Sequence, residues 1–176
     1  MINKKLNKHV MKKRFSGRLL HLYTMPFKYP NGHKTILEII KHPGAVLIVP
    51  FISKNSIILL KQYRPVIKEY IWELPAGTLD KNENIIKCAK RELEEETSYR
   101  AKVLTKIGYI YPAPGYTTEK IWVFKAKTLY RVFAECEADE IIEPVILSLR
   151  QVKKMYSSGK IKDAKTLCAL KMASCI

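Results

Sequence analysis

Three glutamates in the middle of the chain, Glu92, Glu95 and Glu96, have the spacing of side chains that share one face of a helix. Because residues three and four apart are neighbours on a helix, their carboxylates are expected to form one acidic cluster. Two carboxylates about 4 Å apart repel each other by roughly 4 kcal/mol at an effective dielectric constant near 20. A counter-charge is therefore expected, and carboxylate oxygens suit a hard cation such as Mg²⁺ or Mn²⁺.

A simpler interpretation of the same residues is a solvated helix face that carries an ion pair. Arg91 lies four positions before Glu95, which is the spacing at which an arginine holds a carboxylate on a helix. Taken alone, the acidic cluster leaves both interpretations open. The residues around it decide between them.

The elements around the cluster are a turn followed by a helix. A turn is predicted at residues 75–77 because proline and glycine stand together there. After it, apolar residues recur at helical spacing and predict a buried helix side, formed by Ile85, Ile86, Ala89 and Leu93.

The spacing of the whole stretch resembles the Nudix box. Gly77 is followed after five residues by Glu83, then after seven by Arg91-Glu92-Leu93, and after one more by the pair Glu95-Glu96. One position departs from the family pattern, because Ser98 stands where the family has a glycine. That residue ends the helix, and we expect a left-handed backbone there, which serine adopts at a cost of about 1 kcal/mol.

The resemblance continues outside the box, from about residue 17 to residue 173, and is to the ADP-ribose pyrophosphatase branch of the Nudix hydrolases. Proline 114 stands sixteen positions past Ser98, where that branch carries a proline. The other segments that carry the resemblance are HPGAV at 42–46, QYR at 62–64, WELPAG at 72–77 and GKIKDAKT at 159–166. This branch hydrolyses the pyrophosphate bond of ADP-ribose or of a related nucleoside diphosphate sugar, to AMP and ribose 5-phosphate in the first case.

The resemblance implies a role for each matching residue. The metal ligands would be Glu92 and Glu96, the backbone carbonyl of Ala76, and Glu95 through a shared ion or water. Arg64 would contact a phosphate, although a surface arginine on a strand is the simpler interpretation. The other residues placed near the substrate by the resemblance are Glu38, Pro114 and Glu119. Glu73 is either an acid behind the site or a strand-end residue that packs against Arg91.

The residue that activates water lies outside the box in this branch, on the loop before the last strand. Glu137 matches it best, and Asp139 and Glu140 are the alternatives. Together with Glu95 and Arg91, Glu137 forms the predicted catalytic set. The simpler interpretation of this loop is a solvated acidic segment.

The net charge of +16 is the unusual property of the composition. Nine Lys and Arg residues precede the first acidic residue, Glu38. Such a charge is compatible with an RNA-binding or nucleotide-sensing module that has lost turnover, which is the alternative function. We do not favour nucleic-acid binding, because the N-terminal Lys and Arg residues are not interleaved with aromatic residues on which nucleobases could stack.

Cysteine usage and hydropathy indicate a cytoplasmic protein without a membrane span. The four cysteines, at 88, 136, 168 and 175, have no CxxC spacing and are expected to be reduced thiols with packing roles. The longest apolar run, residues 45–52, is too short to cross a bilayer.

The order of the elements predicts a mixed α+β fold, and the resemblance implies that this is the α/β/α sandwich of the Nudix fold. It would contain a mixed sheet with the box helix, two closing helices capped by Ser148 and Asp163, and a preceding antiparallel strand pair. We expect a basic flexible arm at 1–14, N-terminal strands at 15–42 and the Nudix domain at 43–176. Because members of the branch are typically homodimers with exchanged N-terminal strands, residues 15–42 are a candidate dimer-exchange element.

Overall fold

The computed structural model describes residues 11–18, 20–133 and 141–176. The chain divides into two compact units. The first is Met1–Pro43 with Ala113–Glu119, and the second is Gly44–Pro112 with Lys120–Ile176.

The first unit is a three-stranded antiparallel sheet in the order β1-β2-β3. Its strands are β1 (Lys12–Ser16), β2 (His21–Lys28) and β3 (Lys34–Ile40). The predicted pair around the turn at 30–32 is β2 and β3, and Gly32 has the positive φ of 88° that this turn requires. The additional strand β1 begins within the segment predicted to be a flexible arm, whose first ten residues lie outside the described part of the chain.

The second unit contains a seven-stranded mixed sheet with the main order β10-β5-β4-β9-β8, in which β6 pairs with β5 and β7 pairs with β4. Only β4 and β9 are parallel among these pairs, so the sheet is mixed, as predicted. The bounds of the strands are β4 (Ala45–Ser53), β5 (Ser56–Arg64), β6 (Glu69–Glu73), β7 (Ala76–Thr78), β8 (Tyr99–Ile110), β9 (Ile121–Arg131) and β10 (Ile142–Ser148).

Helices cover both faces of this sheet. Successive side chains of β4 point to opposite faces, so Leu47 and Val49 pack with residues of the two closing helices, whereas Val46 and Ile48 pack with the box helix. These side chains are fully buried. The second unit therefore has the predicted α/β/α layering.

The three helices are α1 (Ile85–Thr97), α2 (Leu149–Ser157) and α3 (Ala164–Met172). The predicted caps are confirmed, because the Ser148 side chain accepts a hydrogen bond from Gln151 N and the Asp163 side chain accepts one from Thr166 N. Ser98 ends α1 with φ 57° and ψ 31°, the left-handed conformation expected there.

The predicted apolar side of α1 was wrong at one residue. Ile86 is 48% exposed, and the buried side is formed instead by Cys88, Ala89 and Leu93 together with Glu92 and Glu96. Helical spacing alone does not show that two of the glutamates are buried against a neighbouring element. In the described ranges, no helix is long and apolar enough to span a membrane.

Candidate active site

The box helix begins at a loop whose polar groups are satisfied locally. The Asn84 side chain caps α1 by accepting a hydrogen bond from Ile86 N at 2.8 Å. The Glu83 carboxylate accepts one from Asp80 N at 3.1 Å and also faces Arg91, with both Arg91 Nε and Nη2 at 3.2 Å. Glu83 lies in the loop before α1 and therefore orients Arg91, which is eight positions later in the chain.

Arg91 is the common partner of three carboxylates. Its Nη1 lies 2.8 Å from Glu92 Oε1 and 2.9 Å from Glu95 Oε2, in addition to the pair with Glu83. The hydrogen bond to Glu83, followed by the charge of Glu92 and the hydrogen bond to Glu95, outweighs burial and raises the pKa of Arg91. The same hydrogen bond lowers the pKa of Glu83. The predicted pairing of Arg91 with Glu95 is present, and Arg91 also contacts Glu83 and Glu92.

Two of the three glutamates of the acidic cluster are buried against the turn that precedes the helix. Glu92 is 9% exposed and Glu96 is 3% exposed. Glu96 Oε2 accepts a hydrogen bond from Ala76 N at 2.9 Å. A solvated helix face is therefore excluded for Glu92 and Glu96, whereas Glu95 is only partly buried.

Gly77 permits this close packing because it has no side chain. A β-carbon at position 77 would stand 1.9 Å from both Cδ and Oε1 of Glu92, which is far inside van der Waals contact. The φ angle of Gly77 is outside the left-handed region that favours glycine. The box glycine is thus required here by close approach to the carboxylate.

Glu73, just before the turn, is at the centre of a second charged group. Its carboxylate is 1% exposed and accepts hydrogen bonds from Arg64 Nε at 2.6 Å and Arg64 Nη2 at 2.8 Å. Lys165 Nζ contacts the second oxygen of the same carboxylate and lies 3.0 Å from Asp163 Oδ1. The proposed packing of Glu73 against Arg91 was therefore wrong, because Arg64 and Lys165 hold its carboxylate.

The pKa of Glu73 is lowered although the side chain is buried. Burial acts to raise the pKa of this carboxyl, and the hydrogen bonds and charges of Arg64 and Lys165 overcome it. The hydrogen bond to Glu73 in turn raises the pKa of Arg64 against the opposing effect of burial. Glu73 and Asp163 together balance Arg64 and Lys165, which makes the group neutral overall.

The remaining predicted residues belong to the first unit or lie outside the described residues. Glu38 is on β3, and Pro114 and Glu119 belong to the segment Ala113–Glu119, so all three are in the first unit. Glu137, Asp139 and Glu140 lie outside the described residues. Within the second unit, the structure brings together the box residues around Arg91, and it pairs Arg64 with Glu73 in a second charged group.

Sequence reasoning gave no role to Lys165 and Thr166. Thr166 is fully buried and its Oγ1 accepts a hydrogen bond from Leu74 N at 3.0 Å, 92 residues earlier in the chain. The available signal was the segment GKIKDAKT at 159–166, which carried part of the family resemblance. Its contacts were not predictable because they depend on the packing of α3.

The donor chemistry of the cluster fits a hard divalent cation. The glutamates at 92, 95 and 96 offer carboxylate oxygens, and the turn adds backbone carbonyls. In the ranges that the structure describes, no three His, Cys, Asp or Glu side chains are already arranged around a common metal position. In this arrangement Arg91 provides the positive charge to Glu92 and Glu95.

Comparison with known proteins agrees with this geometry. The model of the NUDIX domain matches residues 41–170. The chain belongs to the Nudix family. The match of the family model therefore confirms the family predicted from the spacing of the box residues.

This Nudix chain has curated relatives over most of its length. It is 40% identical over 158 residues to the ADP-ribose pyrophosphatase of Bacillus subtilis, which covers 89% of this chain and 85% of that protein. It is 34% identical to the methanol dehydrogenase activator of Bacillus methanolicus, with the same coverage. It is 31% identical to a GDP-mannose pyrophosphatase of Yersinia pestis, covering 88% of this chain and 83% of that protein.

The fold of this Nudix chain also has a solved counterpart. A crystal structure of an ADP compounds hydrolase superposes with a TM-score of 0.82 and covers 98% of this chain and 95% of the other. The sequences are 24% identical, so this likeness shows the fold.

Proposed function

We propose that this Nudix protein hydrolyses the pyrophosphate bond of ADP-ribose, or of a related nucleoside diphosphate sugar, and releases AMP and ribose 5-phosphate from the former. The observation that carries the proposal is the burial of Glu92 and Glu96 against the Gly77 turn, with Glu96 on the amide of Ala76. The names of the relatives from Bacillus subtilis and Yersinia pestis support the substrate class.

Mg²⁺ is the proposed cofactor, with Mn²⁺ as a substitute. Glu92, Glu95 and Glu96 would hold it together with the backbone carbonyl of Ala76. When bound, such an ion neutralises charge on the pyrophosphate and lowers the pKa of a bound water. Because Arg91 contacts Glu92 and Glu95, the cation would compete with its guanidinium for these two carboxylates.

Arg64 is proposed to orient a phosphate of the substrate. Its Nε and Nη2 are bonded to Glu73, and this two-point contact fixes the plane of the guanidinium. The Arg64 side chain is still 41% exposed, so it is accessible to a ligand. Glu73 would therefore act by holding Arg64 in one orientation.

The roles of the residues beyond this part of the site are also proposals. Glu137 would take the proton of the attacking water, with Asp139 and Glu140 as alternatives. The other residues proposed to bind the substrate are Glu38, Pro114 and Glu119. We further propose a homodimer, which sizing chromatography tests, and a cytoplasmic location, which agrees with free thiols at Cys88, Cys168 and Cys175.

Product analysis tests the activity directly. Purified protein would be incubated with ADP-ribose, GDP-mannose, UDP-glucose and NADH, with Mg²⁺ and with excess EDTA, and the products separated by chromatography. AMP formed from ADP-ribose faster than nucleotide is released from the others, and only with Mg²⁺, is the expected result. Faster cleavage of GDP-mannose would move the substrate assignment within the same class, and no cleavage of any substrate would refute the proposal.

The net charge of +16 favours one alternative, a catalytically weak nucleotide-sensing or RNA-binding module. Binding through phosphate contacts weakens steeply with salt. Tight, salt-dependent RNA binding together with no metal-dependent hydrolysis would support this alternative over the enzyme.

A further inference from the structure

We infer that Thr166 and Lys165, at the start of the last helix, are positioning residues for Leu74, Pro75 and Ala76, the residues of the turn just before the box glycine. Through this turn they also position the cation site. The inference deepens the proposed function and rests on it where it concerns the cation. Thr166 binds the backbone of Leu74 and Lys165 binds the carboxylate of Glu73, so both act through the chain that leads into the cation site.

Three different elements hold three consecutive residues of this turn. Leu74 N donates to Thr166 Oγ1 of α3 at 3.0 Å, Pro75 O accepts from Ile48 N of β4 at 2.8 Å, and Ala76 N donates to Glu96 of α1 at 2.9 Å. Leu74 and Thr166 are almost fully buried. The hydroxyl of Thr166 is therefore the partner of a buried N–H that water does not reach, two residues before the proposed carbonyl ligand.

Lys165 acts on the residue that precedes the turn. Its ammonium group contacts the buried carboxylate of Glu73 and lies 3.0 Å from Asp163 Oδ1. Because Arg64 binds the same carboxylate, Lys165 links the last helix to the proposed phosphate-binding arginine. The first turn of α3 thus contacts the backbone before the cation site through Thr166. Through Lys165 it also contacts Glu73, which holds the proposed phosphate-binding Arg64.

The start of α3 is built to present these two side chains. The Asp163 side chain caps the helix by accepting a hydrogen bond from Thr166 N at 2.9 Å. The same carboxylate contacts Lys165, so one aspartate fixes the helix end and places the lysine. This gives a structural reason for the segment KDAKT at 162–166, which the acidic cluster alone does not explain.

Amide hydrogen exchange followed by NMR tests the positioning without any metal. In Thr166→Val, the amides of Leu74 and Ala76 should exchange about 10-fold faster relative to the core amide of Val123, because a buried N–H loses its partner, and Thr166→Ser should restore the wild-type ratio. Leu170→Val is the control for lost packing, because Leu170 is fully buried on the same helix and belongs to the same apolar cluster as Leu74, but its side chain forms no hydrogen bond. An unchanged ratio for Ala76 in Thr166→Val overturns the inference.

Titration with Mn²⁺ followed by electron paramagnetic resonance tests the link to the cation. Thr166→Val and Lys165→Met should weaken Mn²⁺ binding on the order of 10-fold, the range seen when groups that orient metal ligands are removed. Lys162→Met is the control for lost charge, since Lys162 pairs with the exposed Glu69. Equal Mn²⁺ affinity in Thr166→Val, Leu170→Val and wild type overturns the inference.

The same measurements separate this inference from the proposed function. A wild-type protein that binds Mn²⁺, loses affinity in Thr166→Val and cleaves no nucleoside diphosphate sugar would support the positioning role and refute the proposed activity. A protein that cleaves ADP-ribose with Mg²⁺ and shows unchanged Mn²⁺ affinity in Thr166→Val and Lys165→Met would support the proposed activity and refute the positioning role.

Discussion

The carboxylate of Glu92 lies against the backbone of Gly77, so that a β-carbon at position 77 would stand 1.9 Å from Glu92 Oε1. The two residues are fifteen positions apart and belong to β7 and α1. Their contact joins the turn to the helix at the place where the acidic cluster is buried. It also explains in physical terms why the box begins with a glycine.

Replacing Gly77 by alanine should therefore displace Glu92. We expect Gly77→Ala to lower the melting temperature and to reduce hydrolysis on the order of 100-fold, because a displaced carboxylate no longer holds the cation in place. Differential scanning fluorimetry and the rate of AMP release measure the two effects. Gly115→Ala is the control for stability, since nothing lies within 4 Å of a β-carbon there. Wild-type turnover in Gly77→Ala would contradict this account.

Replacing Glu96 by glutamine should remove activity while the fold remains. The amide oxygen of glutamine can still accept the hydrogen bond from Ala76 N, so the turn keeps its partner. The lost charge should lower the turnover number on the order of 100-fold or more. Glu94→Gln is the matched control on the same helix, because Glu94 pairs with the exposed Arg100. Near wild-type turnover in Glu96→Gln would refute the assignment of this residue to the metal.

The pair of Arg91 and Glu83 should make wild-type stability depend on pH in a defined direction, and removing Arg91 should weaken that dependence. The hydrogen bond from Arg91 lowers the pKa of Glu83 below its usual value of 4.5. A lowered pKa in the folded state gives stability that is present above pH 4.5 and is lost as the pH falls through the folded-state pKa. The melting temperature of the wild type should therefore be higher than that of Arg91→Met at pH 7, and the difference between the two should shrink below pH 4.5. Melting curves between pH 7 and pH 3 measure this, and a gap that widens in acid would contradict it.

Replacing Ser98 by glycine should stabilise the protein. Ser98 has a left-handed backbone, which glycine adopts without the steric penalty of a β-carbon. We expect the free energy of unfolding to rise by about 1 kcal/mol in urea titrations. Ser158→Gly is the control, because Ser158 also ends a helix but has φ −91°. Equal effects of the two substitutions would show that the left-handed conformation is not the cause.

The described cysteines should differ in reactivity. Burial, followed by the charges of Glu92 and Glu83, raises the pKa of the Cys88 thiol to about 12, and burial also raises the pKa of Cys175. Cys168 is exposed. In a Cys136→Ser background at pH 8, a disulfide reagent such as DTNB should modify one thiol rapidly and two more only after denaturation. Loss of the fast phase in Cys168→Ser would identify that thiol, and rapid modification of Cys88 would contradict its burial.

Features that depend on a few adjacent residues were predictable from the sequence. The caps at Ser148 and Asp163 and the left-handed end of α1 at Ser98 were all predicted, since each depends on hydrogen bonds or sterics within one turn of chain. The pair of Arg91 and Glu95 was predicted for the same reason, because four residues on a helix bring two side chains together.

Contacts across long separations were not predictable. Glu73 was expected either as an acid behind the site or packed against Arg91. Its partners are Arg64 and Lys165, the latter 92 residues away, because β6 pairs with β5 and Thr166 of α3 binds Leu74. Ile86 was expected in the core and is exposed, because the face that α1 buries includes two glutamates that helical spacing marks as polar.

The sequence by itself determined which groups can do chemistry, since residue type and spacing along one helix place Glu92, Glu95, Glu96 and Arg91 together. Tertiary structure decided which of these carboxylates are buried and what holds the turn beside them. The physical reason is that a hydrogen bond or ion pair within a helix depends on local geometry alone. Burial of Glu92 against Gly77, or of Glu73 between Arg64 and Lys165, requires strands and helices from distant parts of the chain to pack first.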